Sequence, residues 1–97
     1  MAEKVVLSGF ITVPAGEVER VLELLPEHIT LTLAEPGCLV FEVRQRAGTP
    51  TIFDVYEEFQ TAETFAAHQA RVQASPWGAV TKGVEGSYTV KGIYLPF

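Results

Sequence analysis

The sequence has few of the residues that build cross-links, metal cages and basic surfaces. Its 97 residues include one cysteine, Cys38, which excludes an internal disulfide framework and a cysteine-based zinc cage. The 7 Lys and Arg residues are scattered and are outnumbered by 12 Asp and Glu, which gives a net charge of −5. Because binding to phosphate backbones requires a basic patch, we expect no nucleic-acid partner.

Long apolar runs and targeting signals are also missing. Apolar runs extend over only a few residues, so the sequence predicts no membrane-spanning segment. Residues 1–10 lack a basic start followed by a long apolar stretch and a cleavage site, and we therefore expect a cytoplasmic protein. Neither common type of glycine-rich phosphate loop occurs, so nucleotide and flavin cofactors have no sequence signature and no cofactor is expected.

What the sequence does contain is typical of a folded globular protein. Hydrophobic residues make up 47% of the chain and charged residues 20%. Internal repeats, linkers and low-complexity stretches are not found, and residues 1–97 are therefore interpreted as one domain.

The spacing of apolar residues predicts a β-α-β-β-α-β order. Strands are predicted over residues 5–13, 38–46, 51–59 and 87–94, and helices over residues 17–35 and 61–74. A kink or break is expected at Pro26, because proline cannot donate a backbone hydrogen bond and its ring clashes with the preceding turn. A short helical piece is expected after residue 75. This order is that of an α+β ferredoxin-like sandwich.

The first predicted strand has apolar side chains on both faces. Val5, Leu7 and Ile11 point to one face, whereas Val6 and Phe10 point to the other. Two helices can cover only one face of a four-stranded sheet. A second copy of the same sheet is the simplest cover for the other face, so we expect a homodimer formed through the sheet.

Two polar residues fall on apolar faces in the second half of the chain. Alternation in the third strand places Glu57 beside Phe53, Val55 and Phe59, where an ionised carboxylate needs a partner or its pKa rises. On the following helix, His68 shares a stripe with the apolar residues three before it and four after it. Because strand and helix are consecutive, Glu57 and His68 are expected to lie close together.

The first helix carries a second mixed stripe, in which His28 and Thr32 follow apolar residues and Glu35 ends the row. Such a stripe predicts a cavity with polar walls. Both histidines could instead be hydrogen-bonded core residues, and this alternative stays open. A two-histidine, one-carboxylate metal site is disfavoured because no helical Glu-x-x-His pair preorganises it, so we expect no metal.

Two segments carry a resemblance to a known family. "HITLTLAEPGCLVFEV" (28–43) and "FDVYEEFQTAETFAAHQ" (53–69) strongly resemble the antibiotic biosynthesis monooxygenase domain, which includes small cofactor-independent quinol monooxygenases. The matching positions are His28, Thr32, Glu35, Pro36, Gly37, Cys38, Glu57, Phe59 and His68. The resemblance implies a dimeric α+β barrel in agreement with the predicted order of elements.

The resemblance leaves the chemistry open, because the family also includes haem degraders and an isomerase of a small keto compound. Haem degradation is disfavoured: Ser8 and Phe59 stand where the haem degraders have Asn and Trp, and no histidine follows His68. The segment "QARVQASPWG" (69–78) also departs from the short Ser/Thr-Pro-His segment of many members and offers Trp77 instead.

The leading hypothesis is therefore a cofactor-independent monooxygenase that oxidises a quinol or similar electron-rich aromatic with dioxygen. His68 would be the base, Glu57 would orient and stabilise it, and His28 with Thr32 would hold the substrate hydroxyl or oxyanion. Four aromatic side chains are expected to line the substrate pocket, namely Phe10, Phe41, Phe65 and Trp77. For Phe41, simple core packing is the favoured interpretation. The alternatives are an isomerase of a small hydroxy-ketone and a non-catalytic ligand-binding domain.

Overall fold

Four antiparallel strands form one open sheet in the computed structural model, which describes residues 4–82 and 84–91. The strands are β1 (Val5–Thr12), β2 (Cys38–Gln45), β3 (Ile52–Phe59) and β4 (Glu85–Lys91), and the helices are α1 (Val18–Leu33), α2 (Ala62–Gln73) and α3 (Pro76–Thr81). A single 3₁₀ turn, Ala15–Glu17, precedes α1. The strand order is β2-β3-β1-β4. The predicted α+β ferredoxin-like fold is confirmed.

The structure differs from the prediction at Pro26 and at the start of the last strand, and most other element ends shift by one or two residues. The helix does not break at Pro26, because α1 continues through it and keeps Val21, His28 and Thr32 on its buried side. Burial of that stripe on both sides of the proline outweighs the loss of one backbone donor. Strand β4 begins at Glu85, two residues before the predicted start, and residues 92–94 of the prediction lie outside the described residues.

The start of α2 follows from its local sequence. The hydroxyl of Thr61 accepts a hydrogen bond from the Thr64 amide at 3.1 Å, and the Thr64 hydroxyl accepts one from the Thr61 amide at 3.1 Å. These reciprocal bonds satisfy two amides that the first helical turn leaves without partners. The cap fixes where α2 begins and therefore which of its residues face the sheet.

Helix α3 is short but firmly placed. Ser75 caps it by accepting a hydrogen bond from the Gly78 amide at 3.1 Å, and Pro76 occupies its first turn. A Cβ atom on Gly78 would lie 1.9 Å from the carbonyl oxygen of Val72, so only glycine lets α3 approach the end of α2 this closely. This approach carries Trp77 into the protein interior, where it is buried.

The two faces of the sheet differ in cover. The face toward the helices holds the core, including the fully buried Val5, Phe53 and Phe59. On the opposite face Val6 and Phe10 are only half-buried. None of the helices in the described part of the chain is long and apolar enough to cross a membrane.

Candidate active site

A cavity of about 460 Å³ lies between the helix-covered face of the sheet and the three helices. Its wall is mainly apolar and aromatic, with a small number of polar groups, which is the usual make-up of a small-molecule site. Every strand and every helix contributes to the lining: Leu7, Ile11, His28, Phe41, Val43, Val55, Glu57, Phe65, His68, Gln69, Val72, Gln73, Trp77, Thr81, Tyr88 and Val90, together with Val84.

His68 enters the cavity from α2 and is held by a carboxylate on its far side. Its Nδ1 lies 2.9 Å from Oε1 of Glu35, and the same carboxylate binds the guanidinium of Arg71. Because arginine stays protonated and its carboxylate partner only accepts, the proton on the imidazole belongs on Nδ1. In the neutral ring, Nε2 is then the atom with the free lone pair.

Thr32 supports this arrangement from α1. Its hydroxyl accepts a hydrogen bond from Arg71 at 2.9 Å and donates one to the backbone carbonyl of His28 at 2.8 Å. Thr32 is fully buried and does not line the cavity. Its hydroxyl therefore positions Arg71, and the structure does not place it as the predicted substrate contact.

Glu57 enters from β3, as the alternation of that strand predicts. Its side chain is buried, and Oε1 has no hydrogen-bond partner in the described part of the protein. Oε1 lies 3.6 Å from Nε2 of His68, too far for a hydrogen bond. Burial, reinforced by the nearby charge of Glu35, raises the pKa of Glu57 to about 7.

The hydrogen bond to His68 that an orienting carboxylate would make is made by Glu35 and not by Glu57. Glu35 makes the hydrogen bond to the imidazole of His68, whereas Glu57 only approaches the opposite ring nitrogen. Glu35 lies in the turn after α1, and Arg71 lies one turn beyond His68 on α2. Sequence reasoning placed Glu35 at the end of the mixed stripe of α1 but did not select it, and the spacing of three residues from His68 to Arg71 was an unused signal.

Both histidines are neutral at neutral pH. Burial lowers the pKa of His28 to about 3, with the charges of Arg71 and His68 acting in the same direction. Burial also lowers the pKa of His68, although the Glu35 carboxylate opposes the shift. A neutral imidazole whose lone pair faces a cavity can accept a proton from a bound molecule.

The two imidazoles lie within one aromatic cluster. The ring of His28 stacks on Trp77 at a centroid distance of 4.4 Å and an interplanar angle of 4°. Phe41 contacts both histidine rings edge-on, at 5.3 Å from His28 and 5.6 Å from His68. Nδ1 of His28 is buried and has no hydrogen-bond partner among residues 4–82 and 84–91, so it is available to a ligand.

Three of the four predicted aromatic walls line the cavity, namely Phe41, Phe65 and Trp77. Phe10 does not, because it lies on the opposite face of the sheet, where the Arg46 guanidinium sits 5.1 Å from its ring centroid. Side chains alternate along β1, so Ile11 faces the cavity and Phe10 faces away. In one copy of the chain, Phe10 is therefore separated from the other predicted site residues.

The chemistry of the donor set favours acid–base work. Within the described ranges, no group of three or more His, Cys, Asp or Glu side chains is arranged to hold a metal ion. The site offers one imidazole lone pair, one carboxyl with a pKa of about 7 and a stacked aromatic wall. Such a set can take a proton from a hydroxyl and hold the resulting anion's ring by stacking.

Comparisons with known proteins agree with the architecture. The family model for antibiotic biosynthesis monooxygenase matches residues 4–77. Among solved structures, a candidate antibiotic biosynthesis monooxygenase from Nitrosomonas europaea has a TM-score of 0.75 at 21% identity, over 99% of this chain and 95% of that one. A conserved protein of unknown function and possible oxidoreductase from Bacteroides thetaiotaomicron has a TM-score of 0.74 at 20% identity, over 96% and 100% of the two chains.

A further candidate antibiotic biosynthesis monooxygenase, from Deinococcus radiodurans, has a TM-score of 0.70 at 19% identity, over 96% of this chain and 95% of that one. No curated protein matches the sequence significantly. The structural likenesses, at these identities, establish a shared fold, and the family model covers most of the chain, including both histidines. The chain therefore belongs to the antibiotic biosynthesis monooxygenase family.

Proposed function

We propose that this protein is a cofactor-independent monooxygenase that oxidises a quinol or similar electron-rich aromatic with dioxygen. The observation that carries the proposal is the placement of His68. Its Nδ1 is tied to Glu35 at 2.9 Å, and its ring lines a cavity of about 460 Å³ with mostly apolar walls. A base held in one tautomer beside an apolar cavity is what deprotonation of a bound hydroxyarene requires.

The reaction begins when Nε2 of His68 accepts the proton of a ring hydroxyl. The resulting aryloxide can pass an electron to dioxygen, which reacts poorly with a neutral closed-shell aromatic. One oxygen atom then forms a new bond to a ring carbon, and the other leaves as water, while the quinol is converted to a hydroxyquinone. The substrate loses two hydrogens and gains one oxygen, so quinol and dioxygen supply every atom and electron.

The surroundings of His68 stabilise the charges that form. Once Nε2 is protonated, the imidazolium lies between Glu35 on one side and Glu57 on the other, at 2.9 and 3.6 Å. Glu35 remains an acceptor because Arg71 binds it. The stacked pair of His28 and Trp77 offers a flat surface against which an aromatic ring can pack.

Oxygen uptake by metal-stripped protein with a panel of small quinols tests the proposal. The native chain is compared with His68→Ala and with Glu58→Gln, a control on the opposite face of the sheet. His68→Ala should lower the rate above autoxidation by about 100-fold, the usual contribution of a general base. Circular dichroism establishes that the variant is folded. Absence of uptake by the native protein would refute the proposal and leave the isomerase and the ligand-binding role.

A second candidate function uses the same pair of groups. Glu57, whose pKa is about 7, lies 3.6 Å from Nε2 of His68, so one group can deliver a proton while the other accepts one. This arrangement suits isomerisation of a small hydroxy-ketone through an enediol. Conversion of such a substrate under strictly oxygen-free conditions would favour the isomerase, whereas a strict oxygen requirement would favour the monooxygenase.

We also infer that the protein functions as a homodimer whose subunits meet through the uncovered sheet face. Support comes from the half-buried Val6, Phe10, Val40 and Ile52, which this face leaves open in one copy of the chain. Light scattering after size-exclusion chromatography should give twice the mass of 10.6 kDa. Val6→Asp should shift the mass toward the monomer, and a monomeric native protein would contradict the inference.

A further inference from the structure

Two buried polar atoms face each other across the cavity wall without a hydrogen bond between them. Oε1 of Glu57 and Nε2 of His68 are 3.6 Å apart, and the two side chains are only 8% and 3% exposed. Oε1 has no hydrogen-bond partner within the described part of the chain. Buried polar atoms in native proteins are nearly always paired, so the unpaired Oε1 of Glu57 points to a bound group that donates a hydrogen bond to it.

Nε2 of His68 can only accept a hydrogen bond, because the other ring nitrogen, Nδ1, carries the proton. Arg71 binds the Glu35 carboxylate and also donates to the Thr32 hydroxyl at 2.9 Å, which keeps Glu35 an acceptor. Nδ1 of His68, at 2.9 Å, must therefore donate to Glu35. In a neutral ring, Nε2 is left with its lone pair toward Glu57, and the ionised Glu57 is also an acceptor.

Both members of the pair thus need a donor. We propose that the Glu57–His68 pair selects an aromatic ligand that presents a hydroxyl to it and rejects one that presents only a carbonyl oxygen. The inference rests on the proposed function for the aromatic nature of the ligand. A hydroxyl placed between the two acceptors donates to one of them, whereas a carbonyl oxygen would face two lone pairs.

The other polar groups in the described lining are uncharged, namely the hydroxyls of Thr81 and Tyr88, the indole N–H of Trp77, the imidazole of His28 and two amides. None of the described lining residues is Lys or Arg, so no cationic donor faces the ligand. The lining amides belong to Gln69 and Gln73, of which Gln73 is exposed and Gln69 half-buried. His28, whose ring centroid is 6.3 Å from that of His68, can accommodate a second polar atom of either kind.

Binding can be measured without any turnover, by isothermal titration calorimetry in oxygen-free buffer at pH 8. This pH is chosen because the pKa of Glu57 is about 7, so Glu57 is mainly ionised. The probes are 1-naphthol, which donates a hydrogen bond, 1-tetralone, which only accepts one, and naphthalene, which does neither. We expect 1-naphthol to bind at least about tenfold more tightly than 1-tetralone, the effect of leaving one buried acceptor unpaired. 1-Tetralone should bind no more tightly than naphthalene.

A matched pair of variants assigns the selectivity to this site. Glu57→Gln places an amide donor beside His68 and should reduce the preference for 1-naphthol over 1-tetralone to less than about threefold. Glu58→Gln makes the same change on the other face of the sheet and should leave the preference as in the native protein. Equal binding of the two probes by the native protein overturns the inference, as does an unchanged preference in Glu57→Gln or the absence of binding by both probes.

The binding experiment and the oxygen-uptake experiment can succeed or fail independently. Selective binding of 1-naphthol together with no oxygen uptake from any quinol would support this inference and refute the monooxygenase. Oxygen uptake together with equal affinity for the two probes would leave the monooxygenase standing and overturn the selectivity.

Discussion

Glu57 and Glu58 are neighbours on β3 but lie on opposite faces of the sheet, in opposite environments. Glu57 faces the helices, is buried, has one oxygen without a partner and has a pKa raised to about 7. Glu58 faces away, forms an ion pair with Lys4 at 2.8 Å and accepts a hydrogen bond from Tyr56. Those partners hold the pKa of Glu58 below its usual value.

The difference shows that position across a sheet sets the chemistry of a carboxyl. Because side chains alternate along a strand, neighbouring residues lie on opposite faces of the sheet and differ in burial, in partners and in the favoured protonation state. On the outer face, the partners of Glu58 favour its ionised form. On the helix-covered face, burial favours the protonated form of Glu57, whose Oε1 has no hydrogen-bond partner in the described part of the chain.

The largest expected effect concerns stability against pH. The pKa of Glu57 rises from 4.5 to about 7 on folding, so the stability that it contributes is complete below pH 4.5 and is lost as the pH rises through 7. Glu57→Gln removes this penalty. Relative to native protein, the variant should gain about 2 to 3 kcal/mol in free energy of unfolding between pH 5 and pH 8, measured with urea.

Glu58→Gln tests the other side of that comparison. The pKa of Glu58 is lowered, first by its hydrogen bond to Lys4, so its contribution is present above its ordinary pKa and is lost as the pH falls. Relative to native protein, Glu58→Gln should lose stability at pH 8 and recover it at low pH, opposite in sign to Glu57→Gln and smaller. Parallel pH profiles for the two variants would contradict an electrostatic difference between the faces.

The next effect concerns how His68 is held. Glu35→Gln keeps a hydrogen-bond acceptor for Nδ1 but removes the charge that stabilises the imidazolium. The rate of oxygen uptake should fall about tenfold, and the pKa of His68 should fall further, as followed by ¹⁵N NMR of the two histidines. Glu19→Gln, at an exposed position on α1, is the matched control. An unchanged His68 pKa in Glu35→Gln would exclude Glu35 as its charge partner.

The smallest effect concerns the aromatic residues of the two faces. Trp77→Phe removes part of the surface stacked on His28 and should raise the KM for a quinol about threefold with little change in kcat. Phe10→Leu, on the opposite face, should leave both constants unchanged. A raised KM in Phe10→Leu would restore Phe10 as a substrate contact and would require a route to it from the other side of the sheet.

Much of the fold could be predicted because its signals are local and periodic. Alternation in β3 placed Glu57 inside, and the helical spacing of apolar residues in α2 placed His68 on its buried stripe. The same alternation in β1 put Phe10 on the outer face, away from this cavity in one copy of the chain, and its role as a substrate wall stays a prediction. Of the kink or break expected at Pro26, the break does not occur, because packing of a long helix outweighs one missing hydrogen bond.

The partners of the polar groups could not be predicted in the same way. Whether Glu35 or Glu57 bonds to His68 depends on how α1 and α2 are rotated and on side-chain rotamers, which no sequence periodicity specifies. Thr32 was expected in the cavity, but its hydroxyl is taken up between Arg71 and the carbonyl of His28. The bonds from Glu35 to His68 and from Arg71 to Thr32 join residues 33 and 39 positions apart, beyond the range of local patterns.

The sequence by itself determined the order of elements, the buried face of each and the types of polar group that face inward. These features follow from backbone periodicity and from the cost of exposing apolar surface, both of which act on short stretches of chain. The tertiary structure alone decided that Glu35 holds His68, that Arg71 holds Glu35 and that Oε1 of Glu57 has no hydrogen-bond partner among the described residues. A change of a few tenths of an ångström in the donor–acceptor distance makes or breaks a hydrogen bond, and only the packing of the helices against the sheet sets that distance.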